Sequence, residues 1–250
     1  MQVIVDSLLI NYDVVGTGKK VILALHGWGD SATTYQSLAK HFGKKYKFVA
    51  VDLPGFGKSQ LPNSIWGLAD YARFVASFTK KLNINTSILI GHSNGGSIAI
   101  LGLAEGFLTA DKLVLLASAG IRDRHKGRKR FIKLLTKSGK LATFWLPSQH
   151  KARLQNQLYS RVGSDMLIAP ELQETFKKTV EQDIQPQAKK IVAPTLLIYG
   201  ENDNATPVVY GELYHQLIAD STFEVVGEAG HFVHIDKEKT VINLIEDFIR

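Results

Sequence analysis

The 250-residue chain has no cysteine, which excludes disulfides, thiolate zinc sites and a cysteine nucleophile. That absence suits a reducing compartment, and a cytoplasmic location is expected. No apolar run reaches the roughly 18 residues of a membrane-spanning helix. The opening "MQVIVDSLLINYD" has no basic leader and carries Asp6 inside its first apolar stretch, so an unexported protein without an integral membrane segment is expected. Internal repeats and low-complexity linkers are also missing. A hydrophobic content of 45% over this length is enough for one well-packed core.

What is present is an alternation. The runs "KVILALHG", "KFVAVDLPG", "SILIGHS", "DKLVLLASAG" and "APTLLIYG" read as buried strands, each ending in Gly, Pro or small polar residues. Between and after them, "SATTYQSLAKHF", "WGLADYARFVASFTKKL", "NGGSIAILGLAEGF", "PVVYGELYHQLI" and "KEKTVINLIEDFI" read as helices. The pattern predicts an α/β fold with a mostly parallel central sheet and helices on both faces, preceded by an antiparallel pair in "VIVDSLLINYDVVG". From residue 121 to about 186 only helical patterns occur. Residues 1–120 and 187–250 are therefore expected to form the core, and 121–186 a helical cap inserted after the fourth parallel strand.

The stretch "ILIGHSNGGSIAILG" places Ser93 between a strand and a helix. A serine hydroxyl is a poor nucleophile unless it is exposed by the backbone, close to a base and next to oxyanion donors. In "GHSNG", Gly91 and Gly95 remove side chains that would clash in a sharp turn, and the following helix directs unpaired N–H groups at the turn. The Asn94 N–H is one candidate oxyanion donor. The competing reading is a small serine in a helix-packing turn.

A nucleophilic serine needs a base and an acid that orients it. "LLIYGENDNATP" puts Asp203 just past a buried strand, and "FEVVGEAGHFVHI" puts His231 in the loop after the last strand. Both fall at the carboxyl edge of the sheet, where Ser93 also lies. Asp203 could instead be a turn or helix-capping aspartate, with Asp123 as the reserve acid. Of the other histidines, His41, His125, His150 and His215 lie in helical patterns, while His92 and His234 are neighbours of the site with structural roles. The loop "LALHGWGDS" supplies a second oxyanion candidate, the Trp28 N–H.

With "HGWG", "DLPGFGKS", "GHSNGG", "GENDNATP" and "GEAGHF" in this order and spacing, the chain resembles the α/β-hydrolases along nearly its whole length. "HGWG" together with a basic cap is similar to the pimeloyl-(acyl carrier protein) methyl ester carboxylesterases. The resemblance implies that the inserted segment covers the pocket and sets the substrate.

"GFGKS" at residues 55–59 ends like a phosphate-binding loop, but the position of that loop's first glycine is Asp52, and Pro62 follows where a helix should run. No nucleotide cofactor is expected. His231 and His234 lack a third ligand motif, so no metal is expected either. Residues 121–190 carry 16 Lys and Arg against 6 Asp and Glu, while the rest of the chain carries 14 against 17. The excess centres on "RDRHKGRKRFIK", with Arg122, Arg124, Lys126, Arg128, Lys129 and Arg130. It reads as a solvated face, as a docking surface for an acidic carrier protein or anionic substrate, or as a contact with a membrane surface or nucleic acid. Few aromatics interleave with it, so nucleic acid is not an expected partner.

The resulting expectation is a cofactor-independent serine hydrolase, a carboxylesterase acting on a small-molecule acyl ester. Ser93, His231 and Asp203 are its triad, and the Trp28 and Asn94 amides its oxyanion hole. Trp28, Phe56, Ile121, Phe144, Trp145 and Phe232 are the expected acyl pocket. C–C bond hydrolysis or acyl transfer on the same triad, and a non-catalytic ligand receptor or scaffold on the same fold, are the alternatives.

Overall fold

A computed structural model describes residues 1–122 and 170–250. The chain opens with strands β1 (Gln2–Val5) and β2 (Leu8–Val15), paired antiparallel. Asp6 and Ser7, which join them, both have positive φ, the backbone that matches a two-residue hairpin turn to strand twist. Six further strands follow: β3 (Val21–Leu25), β4 (Lys47–Val51), β5 (Thr86–His92), β6 (Lys112–Leu116), β7 (Thr195–Gly200) and β8 (Ser221–Val226).

The eight strands form one sheet in the order β1-β2-β4-β3-β5-β6-β7-β8, parallel from β4 through β8 with the opening hairpin antiparallel at one edge. Strand order reverses about β3: the chain runs outward to β4, then returns past β3 to build β5 through β8. Loops leaving the carboxyl ends of β3 and β5 therefore diverge, and the crevice they leave is where open α/β sheets place their ligands.

Helices α1 (Gln36–Phe42), α2 (Leu68–Lys81), α3 (Asn94–Ala104), α4 (Pro170–Val180), α5 (Gln185–Ala188), α6 (Val208–Leu217), α7 (Val233–Asp236) and α8 (Glu238–Ile249) are the described α-helices. Strand side chains alternate between two cores. On β3, Val21, Leu23 and Leu25 join the core on one face, while Ile22 and Ala24 join the other. The first core takes the apolar stripe of α2, Leu68, Tyr71, Val75 and Phe78 at helical spacing. The second takes Val241, Ile242, Ile245 and Ile249 of α8. Truncating a fully buried ring such as Phe78 to alanine would cost about 3–5 kcal/mol.

α3 is buried from Asn94 to Gly102, because it lies directly on the sheet under α2. Gly95 permits that approach: a Cβ there would overlap the Leu25 carbonyl oxygen and lie 2.6 Å from that of His26. The segment expected as the cap contributes α4 and the start of α5, whose span Gln185–Ala188 straddles residue 186. Phe144 and Trp145, the reserve acid Asp123, His125, His150 and the basic run beyond Arg122 lie outside the described residues. Among the described residues no helix is long and apolar enough to cross a membrane.

Candidate active site

Ser93 is the hinge between β5 and α3, with φ 50 and ψ −116. A non-glycine residue in that region is strained, and strain persists only where the surroundings over-determine it. Here the Ser93 N–H donates to the Leu116 carbonyl at 3.0 Å, and the Ser93 carbonyl accepts from Gly96 and Ala119 at 3.0 and 3.1 Å. A Cβ at Gly91 would lie 2.6 Å from the Gly96 Cα, so only glycine lets the helix start so close behind the strand. The first amides of α3 lack intrahelical acceptors and sit at the positive end of its dipole. The Asn94 N–H is among them.

The "HGWG" loop packs against this turn from the end of β3. A Cβ at Gly27 would be 3.1 Å from the Ser93 Cβ, which brings the following residue, Trp28, beside the serine. The Trp28 indole packs edge-on against Phe56 with centroids 4.8 Å apart, and against Phe176 of α4 at 5.1 Å.

Asp203 and His231 meet. His231 Nδ1 donates to Asp203 Oδ2 at 2.8 Å, which fixes the tautomer with the lone pair on Nε2. Asp203 is only 5% exposed. Its Oδ1 accepts the N–H groups of Ala205 and Thr206 at 2.7 and 3.0 Å, and the Thr206 hydroxyl lies 2.7 Å from Oδ2. Burial alone would raise its pKa, but the bonds from His231 and Thr206 outweigh burial and hold the carboxyl below its ordinary value. The imidazole stands against the nucleophile turn: its ring centroid is 4.8 Å from that of His92, the residue before Ser93.

Three features were not legible in the sequence as pattern. Thr206 holds Asp203 through both its amide and its hydroxyl, and the signal for it is the Asp-x-x-Thr spacing of a side-chain-stabilised turn. His26 is fully buried and bridges two loops, donating from Nδ1 to the Gly27 carbonyl at 2.7 Å and accepting the Leu53 N–H at Nε2 at 2.9 Å. Burial lowers its pKa despite the nearby Asp30, Gly27 carbonyl and Asp52. Phe176 reaches Trp28 from a segment whose sequence showed only a helical period.

Of the expected pocket residues, Trp28 and Phe232 are half-buried, while Phe56 and Ile121 are buried in the main core. Phe232 lies 5.1 Å from the His92 ring and 5.6 Å from that of His231. The loop resembling a phosphate cradle is filled by the chain itself. Asp52 accepts the Lys58 N–H at 2.9 Å and the Ala32 N–H at 2.6 Å, so a carboxylate occupies the place of an anion. Among the described residues no group of three or more His, Asp or Glu is placed to hold a metal ion.

This sheet, the strained turn after β5 and the loops at its carboxyl edge define an α/β-hydrolase. The sequence profile described as serine aminopeptidase, S33 matches residues 16–238, and the chain belongs to that family of hydrolases. It is 27% identical to the uncharacterized hydrolase YugF of Bacillus subtilis, across 98% of this chain and 96% of that protein. It is 24% identical to 2-hydroxy-6-oxo-2,4-heptadienoate hydrolase of Pseudomonas putida, across 99% and 95%. Among solved structures, the enol-lactonase of Burkholderia xenovorans superposes with a TM-score of 0.81 at 17% identity, over 100% of this chain and 99% of that one.

Proposed function

We propose that the chain is a serine hydrolase that cleaves small-molecule carboxylic esters through an acyl-enzyme. Ser93 attacks the acyl carbonyl while His231 Nε2 takes its proton, and Asp203 holds the imidazolium through the Nδ1–H bond. The Trp28 and Asn94 amides receive the negative oxygen of the tetrahedral intermediate. His231 then protonates the departing alcohol, and water activated by the same imidazole releases the acid. The observation that carries this reading is the 2.8 Å bond between His231 and Asp203, formed with the imidazole packed beside the strained Ser93 turn.

Residues 121–186 are the cap in this reading, and the contact between Phe176 and Trp28 supports an aromatic wall where cap meets core. The basic excess of residues 121–190 supports recognition of an acidic carrier protein or an anionic substrate. Comparing p-nitrophenyl butyrate turnover by wild type and Ser93→Ala tests the assignment. A loss of at least about a thousandfold is expected, and turnover retained within about tenfold contradicts it.

The Pseudomonas putida relative favours a second reading on the same triad, hydrolysis of a C–C bond in a vinylogous diketone. Product analysis separates the two: an acid and an alcohol from an ester, or an acid and an enol from a dienoate.

A further inference from the structure

We infer that His92 is a positioning residue, which ties the loop carrying His231 to the turn carrying Ser93 by donating its Nε2–H to the His231 carbonyl. The inference rests on the proposed roles of Ser93 and His231. The bond is 3.0 Å long and crosses 139 residues of sequence. His92 adjoins Ser93 covalently, so one peptide link, the His92 side chain and one hydrogen bond join the backbones of nucleophile and base.

The ring has no freedom to leave that position. It is 1% exposed and packs against the rings of His231, Phe232 and His234, with centroids 4.8, 5.1 and 4.9 Å away. On its other side a Cβ at Gly27 would lie 2.9 Å from its Nδ1, so the "HGWG" loop closes over it only because residue 27 is glycine.

The role is positional and not acid–base. With Nε2–H given to a carbonyl, the only lone pair is on Nδ1, and that atom is buried without a hydrogen-bond partner. The ring therefore passes no proton to Ser93 or His231. Burial, followed by repulsion from His231 and His234, also keeps it neutral by lowering its pKa well below the ordinary value. A phenyl ring would fill the same space but leave the His231 carbonyl unpaired. What the position requires is a flat side chain with one N–H at the reach of Nε2.

That requirement gives the test. The amide nitrogen of glutamine reaches roughly where histidine Nε2 lies, whereas that of asparagine reaches only as far as Nδ1. His92→Gln, His92→Asn and His92→Phe would be compared with wild type for rate of fluorophosphonate labelling, kcat and KM for p-nitrophenyl butyrate, and thermal unfolding. Displacement of a catalytic group by about 1 Å costs on the order of a hundredfold. Labelling rate and kcat are expected to fall about 30-fold or more in His92→Asn and His92→Phe, with KM within about threefold and His92→Gln restored to within about threefold of wild type. Should His92→Phe fail to fold, the Gln and Asn pair decides. His92→Gln as slow as His92→Asn, His92→Asn within about twofold of wild type, or a loss confined to KM overturns the positioning role. Ser93→Ala run alongside separates the two levels. If it still labels, the proposed function fails; if it is silent while the His92 variants match wild type, only the positioning role fails.

Discussion

The Thr206 hydroxyl lies 2.7 Å from Asp203 Oδ2 and 3.2 Å from His231 Nδ1, inside the acid–imidazole pair. Its oxygen is also 2.9 Å from the Ala117 carbonyl, so a single proton serves two acceptors. Thr206→Val keeps the shape and the backbone N–H and removes only the hydroxyl. A hydrogen bond to a charged group contributes about 1.5–3 kcal/mol, so kcat is expected to fall at least about tenfold. Thr206→Ser should recover most of it. Steady-state kinetics of the two variants with one ester substrate checks this, and equal activity in Thr206→Val would remove Thr206 from the site.

Gly95→Ala is expected to damage both fold and activity. Its methyl group would overlap the Leu25 carbonyl oxygen, a backbone atom that cannot swing away. Overpacking of this kind costs about 1–3 kcal/mol, and the shift needed to relieve it moves Ser93. Urea unfolding and fluorophosphonate labelling should fall together. Gly106→Ala is the control, because no atom lies within 4 Å of a Cβ there and only its left-handed φ resists substitution.

Acid should destabilise the protein before its carboxylates titrate. His234 is 1% exposed, and burial, then repulsion from His231, lowers its pKa from 6.5 to about 3. Between those values the unfolded chain binds a proton that the folded chain refuses, so stability rises with pH across that window and is lost on acidification. The slope for one such group reaches about 1.4 kcal/mol per pH unit. His26 and His92 are lowered in the same direction and add to it. Asp203 acts lower still: its carboxyl is held down, so its contribution is present above the ordinary carboxylate value and disappears only as pH falls through the depressed one. Urea unfolding from pH 7 to pH 5 should show a falling free energy, and His234→Asn a shallower slope.

Phe176→Ala should act on substrate capture more than on folding. Phe176 is half-buried and meets Trp28 at 5.1 Å across the boundary between α4 and the core. Losing part of an aromatic wall forfeits about 1–2 kcal/mol of apolar contact with a bound acyl chain. KM should rise about tenfold for long-chain p-nitrophenyl esters and little for the acetate, with thermal unfolding nearly unchanged. A uniform effect across chain lengths would place Phe176 outside the acyl pocket.

The strands and the position of Ser93 were legible because buried parallel strands are short apolar runs and the strand-to-helix turn needs glycines at fixed offsets, here Gly91 and Gly95. The pairing of Asp203 with His231 was legible only as order along the chain and placement at one sheet edge. The supporting bonds were not. His26 bridging Gly27 and Leu53, Asp52 filling its own loop, and Thr206 bracing Asp203 depend on side-chain directions that periodicity does not encode. Helix α7 was also missed, since four residues are too short for a period, yet it buries His234 beside His92. That Phe56 and Ile121 join the main core was not legible either, because periodicity does not say how deeply a loop side chain is buried.

The most direct test is to phosphonylate the wild-type protein with a fluorophosphonate, digest it and locate the added mass. The account predicts one adduct, on the peptide containing Ser93, formed much more slowly in His231→Ala and absent in Ser93→Ala. An adduct on another residue, or equal labelling of Ser93→Ala, would contradict it.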